Sequence, residues 1–192
     1  MPTPFQLVLG VAVLVGLGVL FLYGRRVVGA WLRYRDTRVV VCPENRETVA
    51  VEVDSGHAAW SAPQGRPDLR LEDCTRWPEK AGCGQECLSQ IESSPEACRL
   101  RTILTDWYKT RPCAFCGKSF GEIHWHDHKP ALLAPGGALV TWGAFRPEQV
   151  IDVLESHKPV CWDCHLAESF RREHPELVTE RPERTGPPPS MA

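Results

Sequence analysis

The feature that most constrains this chain is an uncharged apolar run near its amino terminus. Residues 5–23 read FQLVLGVAVLVGLGVLFLY, and no charged side chain occurs within residues 2–24. A helix needs about 20 apolar residues to cross a hydrocarbon layer of about 30 Å. The run therefore predicts a transmembrane anchor over residues 1–24.

A cleaved secretory signal peptide is the competing interpretation of this run. Such a peptide has a basic amino-terminal region and small residues at its cleavage site. The chain instead begins MPTP and continues past the run as YGRRVV. These features favour an uncleaved, single-pass anchor.

Residues 25–38 predict a basic juxtamembrane segment. It contains five arginines and one acid: Arg25, Arg26, Arg33, Arg35, Arg38 and Asp36. Basic residues flank the cytoplasmic end of a membrane span more often than the other end, and they also attract anionic lipid headgroups. We therefore expect a membrane protein that contacts the lipid bilayer and has its carboxyl-terminal domain in the cytoplasm.

The chain has nine cysteines. Because nine is odd, a purely intramolecular disulfide framework would leave one thiol unpaired. Thiols stay reduced in the cytoplasm, where clustered cysteines indicate metal ligands. A net charge of −2 argues against a nucleic-acid partner. Composition and predicted location together favour a metal-binding protein.

The remainder predicts an α+β fold built from two small units. With the pairs Cys113/Cys116 and Cys161/Cys164, such units resemble zinc ribbons or treble clefs. The first unit, residues 39–110, contains alternating apolar residues typical of strands, separated by Gly-, Pro- and Ser-rich stretches. We expect strands at 38–42, 48–53 and 69–74, a loop at 54–68, a short helix within 85–92, and a helix from about Ser93 to Tyr108. Ser93 with Glu96 resembles a capping box at the start of that helix.

The second unit covers residues 111–176. We expect a hairpin of strands 122–126 and 138–142, joined through Pro135-Gly136-Gly137, followed by helices at 147–156 and 161–174. The proline-rich tail, residues 177–192, predicts disorder.

Two Cys-x-x-Cys pairs in the second unit give the strongest chemical signal. Cys113 and Cys116 form the first pair, and Cys161 and Cys164 form the second. Four thiolates complete a tetrahedral Zn²⁺ site, and Gly117 permits the tight turn that directs N–H groups at the sulfurs. The pairs predict a structural zinc site.

The order of turn, hairpin and a cysteine pair opening a helix resembles a treble-clef zinc module. Part of the unit, about residues 113–172, also resembles the HNH endonuclease pattern. That resemblance implies His128 as the general base, and Asp127 and His165 as ligands of a catalytic divalent cation. The pattern is incomplete, because its central Asn is missing.

Cys161-Trp-Asp-Cys164-His165 also matches the attachment motif of c-type haem, an alternative that makes the protein an electron carrier. There the two thiols would bond the porphyrin and His165 would be the proximal ligand. Haem attachment takes place outside the cytoplasm, in conflict with the predicted orientation.

A second metal site is expected from the other cysteines of the first unit. Cys42, Cys74, Cys83 and Cys87 supply four thiols for zinc or an iron–sulfur cluster. Cys98 is left out because it falls inside a predicted helix. Packed or disulfide-bonded cysteines are the alternative.

Three alternating histidines add a further candidate cluster. His124, His126 and His128 would lie on one face of the predicted strand and bind a metal, or form an exposed polar face. We therefore expect a zinc protein that acts in binding or assembly at the membrane with another membrane-associated protein. Catalysis is the less favoured alternative.

Overall fold

A computed structural model describes residues 3–177 of the chain. This part confirms the predicted α+β class, with a long apolar helix at the amino terminus. The helices are α1 (Pro4–Tyr34), α2 (Ser55–Ser61), α3 (Leu88–Ser93), α4 (Leu100–Lys109), α5 (Val150–Ser156) and α6 (Trp162–Glu173). The strands are β1 (Arg38–Val41), β2 (Thr48–Val53), β3 (Leu71–Cys74), β4 (Ala131–Leu133), β5 (Leu139–Val140) and β6 (Lys158–Val160).

Helix α1 is long and apolar enough to cross a membrane. Its 31 residues extend over about 46 Å, which exceeds the hydrocarbon thickness by about 16 Å. The side chains of the apolar run are exposed, whereas Ala30 and Tyr34 near the other end are buried in a cluster with strand β2. The carboxyl-terminal turns of the helix are therefore part of the folded domain.

The first sheet has the strand order β1-β2-β3 and is antiparallel throughout. Val49, Val51 and Val53 face the core, as the alternating sequence predicted. The predicted strands at 38–42, 48–53 and 69–74 are confirmed within a residue or two. The predicted short helix within 85–92 is present as α3.

The predicted loop at 54–68 is wrong, because helix α2 and a 3₁₀ turn (Ala62–Gln64) occupy much of it. The Asp54 side chain caps α2 by accepting a hydrogen bond from the His57 N–H at 2.8 Å. Ala58 and Ala59 are buried in the cluster that includes the end of α1. Capping and burial stabilise a helix that composition alone does not indicate.

The helix expected from Ser93 begins later, at Leu100. Ser93 ends α3, and its hydroxyl donates to the Gln90 carbonyl at 2.9 Å, so it is not a capping-box residue. The chain before α4 pairs with β1, where the Val39 N–H donates to the Cys98 carbonyl at 2.8 Å. This pairing delays the start of the helix.

Arg38 closes the junction between the long helix and the domain. Its side chain is completely buried, and its guanidinium donates to the carbonyl oxygens of Arg33 and Pro95. It also lies over the Tyr34 ring, 5.6 Å from the ring centroid. One side chain thereby connects the end of α1 to the segment that precedes α4.

The second sheet has the order β5-β4-β6, and both strand pairs are antiparallel. The predicted strand at 122–126 is wrong, since these residues form a turn and an irregular segment. The hairpin instead pairs β4 with β5, and Pro135-Gly136-Gly137 joins them as expected. Strand β6 was not predicted, whereas α5 and α6 confirm the two helices expected there.

Aromatic side chains fill the core between α4 and the second sheet. Trp107 and Tyr108 of α4 pack with Leu132 and Val153. Leu104 of the same helix packs with Val39 and Val150. Helix α4 therefore contacts elements on both sides of the predicted division at residue 110, which stays a prediction. Apart from Leu177, the predicted tail lies outside the described residues.

Candidate metal centre

Cys113 opens a tight turn that ends at Gly117. The Cys113 N–H donates to the Lys118 carbonyl at 2.9 Å, and the Gly117 N–H donates to the Cys113 carbonyl at 2.9 Å. Gly117 has a φ of +70°, a conformation that glycine adopts without steric cost. The Ala114 N–H donates to the Pro159 carbonyl at 2.8 Å, which ties this turn to β6.

The second pair is placed by the start of helix α6. Cys161 is the residue before the helix, and Cys164 lies in its first turn. The Cys161 N–H donates to the Cys113 Sγ at 3.3 Å, and the His165 N–H donates to the Cys161 carbonyl at 2.9 Å. The end of β6 and the start of α6 therefore bring the second pair against the first.

The structure brings together the four cysteines that the sequence singled out. The Sγ atoms of Cys113, Cys116, Cys161 and Cys164 all lie within 4.8 Å of one another. The Sγ atoms of Cys116 and Cys161 are 3.8 Å apart. A tetrahedron with Zn–S bonds of about 2.3 Å has S···S edges of about 3.8 Å. The four thiols can therefore hold one metal ion.

The hydrogen bonds around Cys113 favour its thiolate form. Burial alone would raise its pKa, but the backbone N–H groups of Cys116, Cys161 and Phe115 lower the pKa of the Cys113 thiol to about 6. Burial and the neighbouring thiols raise the pKa of Cys164 far above its usual range. Four adjacent thiols cannot all ionise without a cation, so metal binding would release protons here.

Packing protects one side of the group of four thiols. Cys113 is only 2% exposed and packs with Ala131 of β4 and Val160 of β6, both completely buried. Cys116 is exposed. The centre therefore rests on the second sheet at the molecular surface.

The residues implied by the HNH resemblance do not lie close together as the four cysteines do. In the described part of the chain, Asp127, His128 and His165 form no group with ligand atoms within 4.8 Å. The His165 Nδ1 atom is buried without a hydrogen-bond partner. His128 and His165 both lie against the Trp162 ring, at centroid distances of 5.7 and 6.0 Å.

The three alternating histidines do not share a strand face. The segment from His124 folds as a turn, in which the Asp127 and His128 N–H groups donate to the His124 carbonyl at 3.2 and 3.0 Å. Trp125 packs towards the core, and its Nε1–H donates to the Thr105 hydroxyl at 3.2 Å. The contact of Trp125 with α4 therefore fixes a turn here, where the alternating pattern predicted a strand.

The remaining predicted ligands lie beside the first sheet. Cys74 ends β3 and Cys87 precedes α3, and both are buried. Cys42 is half-buried and Cys83 is exposed. The four include no three thiols within 4.8 Å of one another, so they are more widely spaced than the four at the second sheet.

Backbone groups also hold the four-cysteine centre in place, and the sequence did not predict most of them. Pro159 was not singled out, although its carbonyl fixes the Cys113 turn. The only sequence signal for it is the position of Lys158–Val160 immediately before Cys161.

No protein-family model matches the chain, and neither the curated proteins nor the solved structures include a significant match.

Proposed function

We propose that this protein is a single-pass membrane protein whose cytoplasmic domain is stabilised by structural zinc and serves as a binding or assembly module at the membrane. The observation that carries the proposal is the closed group of four thiols around one point. Structural zinc sites use all four positions for protein ligands, whereas catalytic sites keep one position for water or substrate. A fourth cysteine therefore favours a structural role over an enzymatic one.

The element order around this group supports its assignment as a treble-clef-like zinc module. A cysteine turn is followed by the β4–β5 hairpin, and the second cysteine pair begins helix α6. A small domain gains folding free energy from such a site, since the metal joins segments that are distant in sequence. Here it would join the Cys113 turn to the start of α6.

The geometry supports zinc over covalent haem. In a c-type haem the thiols of Cys161 and Cys164 bond the porphyrin. In this structure both thiols instead face the other pair, and the Cys161 N–H donates to the Cys113 sulfur. The separation of Asp127, His128 and His165 likewise gives no support to the HNH alternative.

The membrane assignment rests on helix α1. Its exposed apolar side chains suit a lipid environment, and its end is part of the domain core. A signal sequence passes the same test of length and composition. The arginines that follow the span support a cytoplasmic domain and contacts with anionic lipids.

A protein partner is supported by exposed apolar side chains on α6. Leu166 and Phe170 are 56% and 49% exposed, and their spacing of four residues places them on one face of the helix. Contiguous exposed apolar surface is a feature of sites that contact other proteins, and these two side chains are adjacent on successive helical turns. We propose another membrane or membrane-associated protein as the partner.

The proposal is tested by measuring the zinc and iron content of the full chain purified in detergent. Cys116→Ser should remove one zinc per chain, because only three thiolates remain at the centre. Cys98→Ser is the matched control and should retain the wild-type zinc content. Unchanged zinc in Cys116→Ser would contradict the proposal. A Soret band abolished by His165→Ala would establish the haem alternative instead.

A further inference from the structure

The turn at Cys42 has the same backbone hydrogen bonds as the metal turn at Cys113. The Cys42 N–H donates to the Glu47 carbonyl at 2.9 Å, five residues ahead, and the Arg46 N–H donates back to the Cys42 carbonyl at 2.8 Å. Arg46 has a φ of +61°, at the position that Gly117 occupies in the other turn. Two separate segments of one chain thus adopt the same turn, each beginning at a cysteine.

The resemblance extends to the sulfur atom. At the other turn the Cys113 sulfur accepts a hydrogen bond from the Cys161 N–H at 3.3 Å. The Cys42 Sγ likewise accepts one from the Arg76 guanidinium at 3.0 Å. These hydrogen bonds stabilise a thiolate, which is the form that binds a metal.

Three further thiols lie around this turn. Cys74 and Cys87 belong to one core cluster, and Cys42 packs against it. A cavity of about 570 Å³ beside the turn is lined by Cys42, Cys83 and Cys87. Burial and, after it, the charges of the other three thiols together raise the pKa of the Cys87 thiol to about 11.

We propose that Cys42, Cys74, Cys83 and Cys87 form a second four-thiolate centre that takes one zinc ion. The ligands come from a cysteine turn, a strand end, a loop and the start of a helix. Cys98 does not belong to the set, because its thiol is directed at the Gln90 carbonyl, 3.6 Å away. The repeated turn favours the same single-ion chemistry as at the first centre over an iron–sulfur cluster.

Metal binding at this site requires a local movement of Cys83 and of at least one of the other three thiols, because no three of the four lie within 4.8 Å of one another. The thiols are now too far apart for one ion, and Cys83 is exposed in a loop between Gly82 and Gly84. A loop with two flanking glycines can move towards the cavity at little steric cost. Four thiolates and Zn²⁺ leave a net charge of −2, which the guanidinium of Arg76 offsets in part.

Zinc stoichiometry of the full chain in detergent tests this proposal separately from the first centre. We expect two zinc ions per wild-type chain, one in Cys83→Ser and two in the control Cys98→Ser. Circular dichroism of Cys83→Ser measures any loss of folded structure separately from the loss of zinc. Cys116→Ser should remove the other zinc. Two zinc ions retained in Cys83→Ser would overturn the proposal, as would iron bound with inorganic sulfide.

Thiol alkylation of the wild-type protein supplies a test that does not depend on any variant. An exposed free cysteine reacts rapidly with N-ethylmaleimide, whereas a zinc-bound thiolate is protected. We expect Cys83 to remain unmodified in the zinc-loaded protein and to react after chelation. Immediate modification of Cys83 without a chelator would overturn the proposal.

Discussion

The Tyr108 hydroxyl donates a hydrogen bond to the carbonyl oxygen of Ala131 at 2.9 Å and accepts one from the Trp142 Nε1–H at 2.9 Å. Tyr108 is completely buried, and burial raises its pKa well above the usual range. One phenol therefore connects helix α4 to the strand that supports Cys113. The neutral Tyr108 side chain thus supports strand β4, against which Cys113 packs.

Tyr108→Phe should destabilise the domain by about 1–3 kcal/mol, because the buried Ala131 carbonyl and the part-buried Trp142 indole N–H each lose a partner. Urea unfolding of the detergent-solubilised, zinc-loaded protein measures the change. Tyr34→Phe is the control, since the Tyr34 hydroxyl makes no hydrogen bond to the described residues. An equal loss in both variants would contradict the role given to the Tyr108 hydroxyl.

Arg38→Met should cost about 2–4 kcal/mol, because two part-buried, charge-assisted hydrogen bonds to the Arg33 and Pro95 carbonyls are lost. The junction after α1 should also open, which amide hydrogen exchange over residues 35–40 would detect. Arg101→Met alters an exposed arginine of α4 and should change neither measurement. Unaltered exchange in Arg38→Met would show that the junction does not depend on this side chain.

Two adjacent positions near the end of α1 should respond in opposite directions. Gly29 is exposed and a Cβ there meets no atom within 4 Å, so Gly29→Ala should stabilise the helix by about 0.5–1 kcal/mol. Ala30 is buried in the core, so Ala30→Leu should destabilise the domain by about 1–3 kcal/mol. Thermal unfolding in detergent compares the two, and similar effects would contradict the packing of α1 against the domain.

The carboxyl-terminal domain should face the cytoplasm. A green fluorescent protein fused at the carboxyl terminus should fluoresce, whereas alkaline phosphatase at the same place should be inactive. Replacing Arg25, Arg26 and Arg33 with Gln should yield a mixed orientation, since these residues supply much of the charge bias. Active phosphatase in the wild-type fusion would reverse the proposed topology.

The sequence predicted those parts of the molecule that depend on local spacing. The apolar run specified α1, and the two Cys-x-x-Cys pairs specified the group of four thiols, because each signal lies within a few consecutive residues. Strand β2 was likewise predicted, since Val49, Val51 and Val53 alternate with Ala50 and Glu52 in the sequence.

The errors occurred where distant contacts decide the local structure. Trp125 reaches α4 and converts a predicted strand into a turn. Pairing of Cys98 with β1 delays the start of α4. The equivalence of the Cys42 and Cys113 turns is also invisible in the sequence, because Arg46 replaces the glycine expected at the positive φ position.

The continuity of α1 has a mechanical consequence. If α1 spans the bilayer as proposed, its unbroken course into the domain core leaves no flexible joint, so the domain would keep a fixed distance from the bilayer and rotate together with the span. Partners would then have to bind at that distance from the bilayer, and rotation or tilt of the span would be transmitted directly to the first sheet. In this arrangement the domain is attached rigidly to the helix, in contrast to a domain joined to its anchor by a flexible linker.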